Sequence, residues 1–175
     1  MTLTIEAEYV VADCFAQQSK RFEPTTQLPA NQLAKELWQI NLPHGGYYLL
    51  GQENKNHFPI ADNRQIAKWE QHEILAGYPW VTAPTSGKCV AQMLNLHHTG
   101  AIHFKKGCYP GQEVIARAQY LGQVKRGLAV LVAPIPLYNS DEITNEAGEE
   151  VGLVINTVEN TDDYEALAVI KYSAA

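Results

Sequence analysis

Lys105-Lys106-Gly107-Cys108-Tyr109-Pro110-Gly111-Gln112-Glu113, continued by Val114-Ile115-Ala116-Arg117, divides the chain into a part that mixes helices with strands and a part that reads as strands and turns alone. Two glycines bracket a cysteine in it. Proline suits the first position of a helix, because its fixed φ is pre-set and its missing N–H would be unpaired there, so Cys108 is expected just before a helix N-terminus. Unpaired N–H groups, aligned peptide dipoles and the two lysines would favour a thiolate at that place. Gly107 and Gly111 allow positive φ or a close approach of another group. Glu113 and Arg117 are four apart and able to pair on the helix surface, and Gly122 is a helix stop. The plainer reading is that a cysteine is often only a small apolar filler. Local chemistry leaves both open.

Ahead of this stretch, residues 2–11 alternate with the two-residue period of a half-buried strand, and 17–29 form a polar connection. Residues 31–37 read as a short helix capped by Asn31. Residues 38–42 and 47–50 are strands of a hairpin around Pro43-His44-Gly45-Gly46, and 52–56 are a polar loop. Asp62 is the N-cap of a helix over 63–76 that Gly77 and then Pro79 end. On pattern alone, Trp69 in this helix is a core residue. Residues 82–88 are loop chemistry, 90–96 do not separate helix from strand, and 101–104 read as a short strand. His98, His103 and Cys108 lie five apart, a spacing that matches no common metal-ligand pattern.

Behind it, 124–133, 142–144, 150–158 and 164–172 read as strands parted by turns. The fold class is therefore α+β, antiparallel sheets with helices followed by a small C-terminal β-barrel. The division is expected at 1–123 and 124–175.

The chain has 175 residues, enough for a proper core. Thirteen basic and nineteen acidic residues give a net charge of −6, which repels polyanions, so direct nucleic-acid binding is not expected. No run of apolar residues is long enough for a membrane span and no secretion signal opens the chain, so the expectation is a cytoplasmic protein. Cys14, Cys89 and Cys108 are too few and too far apart for a disulfide framework or a closed cluster site, and no permanently bound metal is predicted.

Lys106-Gly107-Cys108-Tyr109-Pro110-Gly111-Gln112-Glu113 resembles the K-G-C-Y-x-G-Q-E signature of the YgfZ family, folate-binding iron–sulfur cluster assembly proteins related to the aminomethyltransferase (T-protein) of the glycine cleavage system. Trp69 followed by Glu73-Ile74-Leu75-Ala76-Gly77-Tyr78-Pro79 is similar to the family's W…I-x-A-G-x-P segment. Gln92 to Leu96 and Gly100 to Lys105 are similar to its Q-x-x-N-L…G-x-I-x-F-K run, and Ala116-Arg117-Ala118 and Lys125-Arg126 also fit. The resemblance covers residues 66–130. The chain departs from the family in Ala91, where a proline is usual, and in a shorter N-terminal part. It also lacks the catalytic aspartate region of true T-proteins.

The resemblance implies tetrahydrofolate or a derivative as cofactor, with Trp69 placed against it, where an aromatic face suits a flat pteridine. It marks Cys108 as the functional thiol and Lys106, Gly107, Tyr109, Gly111, Gln112, Glu113 and Arg117 as motif members. It implies iron–sulfur client or assembly proteins as partners, and a folate-dependent accessory factor more than an enzyme. The alternatives are a T-protein-like aminomethyltransferase or one-carbon transferase, which would need a carboxylate near the folate, and a cysteine hydrolase using Cys108 with His98 or His103. Oligomeric state is left open.

Overall fold

The computed structural model describes residues 9–14, 30–52, 62–104, 107–122 and 124–172. Residues 2–8 of the strand expected over 2–11, the connection 17–29 and most of the loop 52–56 lie outside them. The described residues form an α+β fold with two antiparallel four-stranded sheets. The first contains β1 (Tyr9–Cys14), β2 (Ala30–Ala34), β3 (Leu37–Asn41) and β4 (Tyr47–Gln52), in the order β1-β4-β3-β2. The second contains β5 (Arg126–Ala133), β6 (Glu142–Thr144), β7 (Glu150–Glu159) and β8 (Tyr164–Lys171), in the order β5-β8-β7-β6.

The helix expected over 31–37 is instead a hairpin. Ala34 pairs with Leu37 across the Lys35-Glu36 turn, and Glu36 takes a left-handed φ of 64° that no helix would accept. All five residues of β2 are exposed, so neither face carries the apolar stripe that would have distinguished strand from helix. The hairpin over β3 and β4 is as the sequence suggests, its reversal made by Gly45 and Gly46 at φ 98° and 78°.

Helix α1 (Asn63–Ala76) matches its sequence reading at both ends. Asp62 accepts from the Gln65 N–H at 2.7 Å while Gln65 Oε1 accepts from the Asp62 N–H at 2.9 Å, a reciprocal cap. Gly77 closes the helix at φ 72°. Ile74 packs on Val158 and Leu167 of the second sheet, with Ala67 and Leu128 around them. Leu94, from a run of turns over 91–100, packs beside it on Ile155 and Val169. The central strand β8 buries Ala166, Leu167, Ala168 and Val169 in succession.

Two expectations fail here. Residues 101–104 are bend and turn, not strand. The C-terminal strands form an open sheet, because β5 and β6 are its opposite edges and do not pair with each other. A closed barrel is not present among the described residues.

Candidate functional site

The motif is displayed, not buried. Tyr109 C=O accepts from the Gln112 N–H at 3.3 Å, and Gly111 has φ 85° and ψ −3°, which makes Tyr109-Pro110-Gly111-Gln112 a type II turn with proline and glycine in their preferred places. Pro110 therefore belongs to the turn and not to the helix. Helix α2 (Gln112–Tyr120) starts after it with Gly111 as N-cap, so Cys108 lies further from the helix end than the proline alone suggests. Gly107, Cys108, Tyr109, Glu113 and Arg117 are exposed and Gln112 half-buried, while Lys106 lies outside the described residues. Glu113 and Arg117 form no ion pair among the described residues, and Gly122 follows the helix C-cap Leu121 as expected.

α2 buries none of its residues, so something else must hold it. The side chain of Gln92, 2% exposed, donates from Nε2 to the Ile115 carbonyl at 2.6 Å. Gln92 sits two residues before Leu94, whose burial on the second sheet anchors the segment. Asn95 takes φ 54° there, a conformation asparagine tolerates better than most residues. The Phe104 ring meets Tyr120 edge-on at 6.3 Å between centroids, a contact between residues that flank the motif on either side. Cys89 differs from Cys108: it is half-buried against the second core cluster, and burial pushes its thiol pKa up against the lowering effect of Arg126 and Lys88. Of these two thiols, Cys108 is the exposed one.

Trp69 belongs to a second locality. On α1 it faces Tyr48 of β4 at 5.9 Å and His72 at 5.7 Å between ring centroids. Below it, His44 from the β3–β4 turn meets Glu73 Oε1 at 2.8 Å and stacks on Tyr78 at 4.7 Å. The other oxygen of Glu73 accepts from Trp80 Nε1 at 3.1 Å. Burial, and then the Glu73 charge, push the Tyr78 phenol pKa up. Asn156, at the irregularity in β7, bonds the Trp80 backbone in both directions at 2.8 and 2.9 Å.

Part of this cluster lines a cavity of about 140 Å3, with Trp69, Tyr78 and Trp80 as aromatic walls and Glu70, Glu73 and Thr157 between them. None of residues 107–117 lines it. Trp69 and Cys108 are thus placed at separate sites. Glu70 and Glu73 are carboxylates at the cavity that the sequence did not single out for proton chemistry. Glu70 is spaced as an ordinary surface residue of an amphipathic helix, and the contact between His44 and Glu73 spans 29 residues. His97 and His98 face each other at 3.9 Å, and no group of three or more His, Cys, Asp or Glu side chains converges as a metal site among the described residues. No helix among the described residues is long and apolar enough to cross a membrane.

No family profile matches the chain. It is 48% identical over 83 residues to the tRNA-modifying protein YgfZ of Colwellia psychrerythraea, covering 46% of this chain and 26% of that protein. To the protein of that name from Vibrio atlanticus it is 35% identical over 110 residues, 59% of this chain and 34% of the relative. To that of Escherichia coli it is 42% identical over 93 residues, 53% and 27% respectively. The matches span between about a quarter and a third of the length of these relatives.

Proposed function

We propose, on the premise that this chain belongs to the YgfZ family over the part it shares with these relatives, that it is a folate-binding accessory protein in iron–sulfur cluster assembly or repair with Cys108 as its working thiol. The observation that carries the proposal is the exposure of Cys108 ahead of a type II turn within an eight-residue signature. A thiol held on the surface is suited to touch a transferred cluster or a client protein. The aromatic cavity at Trp69 supports the folate half of the reading: its walls suit a flat ring. The relatives' name, tRNA-modifying protein, fits an indirect role, through cluster-dependent enzymes that modify tRNA. A net charge of −6 favours that over direct contact with RNA.

In this reading the protein works in the cytoplasm, holds folate without a resident metal, and shares a T-protein-like fold. Replacing Cys108 with serine tests it. Modification of tRNA by a cluster-dependent radical enzyme should fall in cells carrying Cys108→Ser while the variant remains folded by circular dichroism. Full retention of modification would remove the thiol from the function.

One observation favours a second reading, a T-protein-like aminomethyltransferase. That chemistry needs a carboxylate beside the folate to manage protons, and Glu70 and Glu73 both line the cavity. Turnover of an aminomethyl donor with tetrahydrofolate decides for it.

A further inference from the structure

The small cavity at Trp69 does not end at its own rim. A wide cleft of about 920 Å3 runs along α1 beside it, walled by Arg64, Lys68 and Gln71 on the helix, by Glu159 at the end of β7 and by Asp162 and Asp163 on the β7–β8 turn. Glu70 and Thr157 line both spaces. The inner one, at about 140 Å3, holds the liquid volume of about five waters. That is room for one ring system and not for a cofactor with its tail.

We infer that the cavity and the cleft are two halves of one ligand site hinged at Glu70, whose carboxylate accepts the paired N–H donors on the edge of a flat heteroaromatic ring. The inference rests on the folate reading and assigns a residue and a direction to it. Glu70 makes no hydrogen bond or ion pair among the described residues, and it is exposed. An ionised carboxylate offers about four acceptor positions. Glu73, deeper in the wall and 1% exposed, already spends two of its own on His44 and Trp80, so Glu70 is the carboxylate open to a ligand. Burial pushes the Glu70 carboxyl pKa up, a sign of partial desolvation, in which a charge-assisted bond is stronger than in water. A 2-amino-4-oxopyrimidine edge presents two parallel N–H groups that match a carboxylate bidentately, as a guanidinium does. With the ring end so held, the rest of the ligand enters the cleft. Its carboxylate end is drawn to Arg64 and Lys68, one turn apart and without partners among the described residues, and kept from the acidic turn opposite.

Anaerobic calorimetric titration with three ligands tests this: tetrahydrofolate, an analogue with a methyl in place of the 2-amino group, and tetrahydropteroate, which lacks the glutamyl end. The unmodified protein should prefer tetrahydrofolate over the methyl analogue by roughly 10-fold to 100-fold, the range of a hydrogen bond to a charged group. Glu70→Gln should bind the two alike. Arg64→Ala combined with Lys68→Ala should lose any preference for tetrahydrofolate over tetrahydropteroate and keep the discrimination against the methyl analogue. If Glu70→Gln discriminates as well as the unmodified protein, the assignment of Glu70 is overturned and the folate reading stands. If the unmodified protein binds none of the three, the folate reading falls and this inference with it.

Discussion

Glu73 of α1 and His44 of the β3–β4 turn meet at 2.8 Å with each residue 1% exposed, and this contact fastens the first sheet to the helix that the second sheet carries. An ionised carboxylate accepts only, so with Glu73 ionised the His44 nitrogen facing it is the donor. Glu73→Ala would leave that donor and the Trp80 indole N–H without their acceptor. The expected cost is about 3 kcal/mol, read as a lower denaturation midpoint in guanidinium chloride. Glu73→Gln keeps one acceptor oxygen and should cost clearly less. Equal costs for the two substitutions would mean that packing, not the paired contacts, holds this junction.

Gln92 should matter to the motif without touching Cys108. Its Nε2 bond to the Ile115 carbonyl is the described side-chain tie between α2 and the core-anchored segment. Gln92→Ala should raise amide hydrogen exchange across residues 112–120 while that of β7 and β8 stays as it was, since the second sheet does not depend on the bond. Uniform loosening of the whole chain would contradict a local tether.

The two glycines of the motif should part company on substitution. Gly111 has φ 85°, and an added Cβ would meet nothing within 4 Å, so Gly111→Ala carries backbone strain alone, about 1–2 kcal/mol. Gly107 has no left-handed φ and equally open surroundings, so Gly107→Ala should stay within about 0.5 kcal/mol. Thermal melts of both variants compare them directly. A larger effect at Gly107 would show that the turn is not where the conformational demand lies.

What was legible in the chain was local. Asp62 and Gly77 bound α1 because caps are chemistry between neighbours, and the strands after 124 announce themselves by alternation and turns. Residues 31–37 misled because β2 is exposed throughout and Glu36 is an unusual residue for a left-handed turn. Pro110 suits a helix start and a type II turn equally, and only the glycine after it decides for the turn. Nothing local tells that a histidine in Pro43-His44-Gly45-Gly46 is buried against a glutamate 29 residues on, nor whether strand edges meet to close a barrel.

Glu70 gives stability and binding opposite responses to acid. Burial raises its folded-state pKa above the ordinary 4.5, so the folded protein takes up this proton before the unfolded chain does. Above the raised value the ionised, partly desolvated group weighs against folding. That penalty fades as pH falls through the raised value and is gone once 4.5 is passed. The unliganded protein should therefore gain stability from this group over that window, and Glu70→Gln, which never carries the charge, should already have the gain at neutral pH. Glu73, Tyr78, Arg64, Lys68 and Glu159 border the same spaces, so the difference between the profiles of the unmodified protein and the Glu70→Gln variant, and not either profile alone, isolates the group. Over the same window folate affinity should fall, because a protonated Glu70 no longer accepts two N–H groups. Denaturation curves and titrations at matched pH values measure both. Should Glu70→Gln leave both profiles unchanged, the carboxylate would be an ordinary surface group, and the ring would have to be held by the aromatic walls alone.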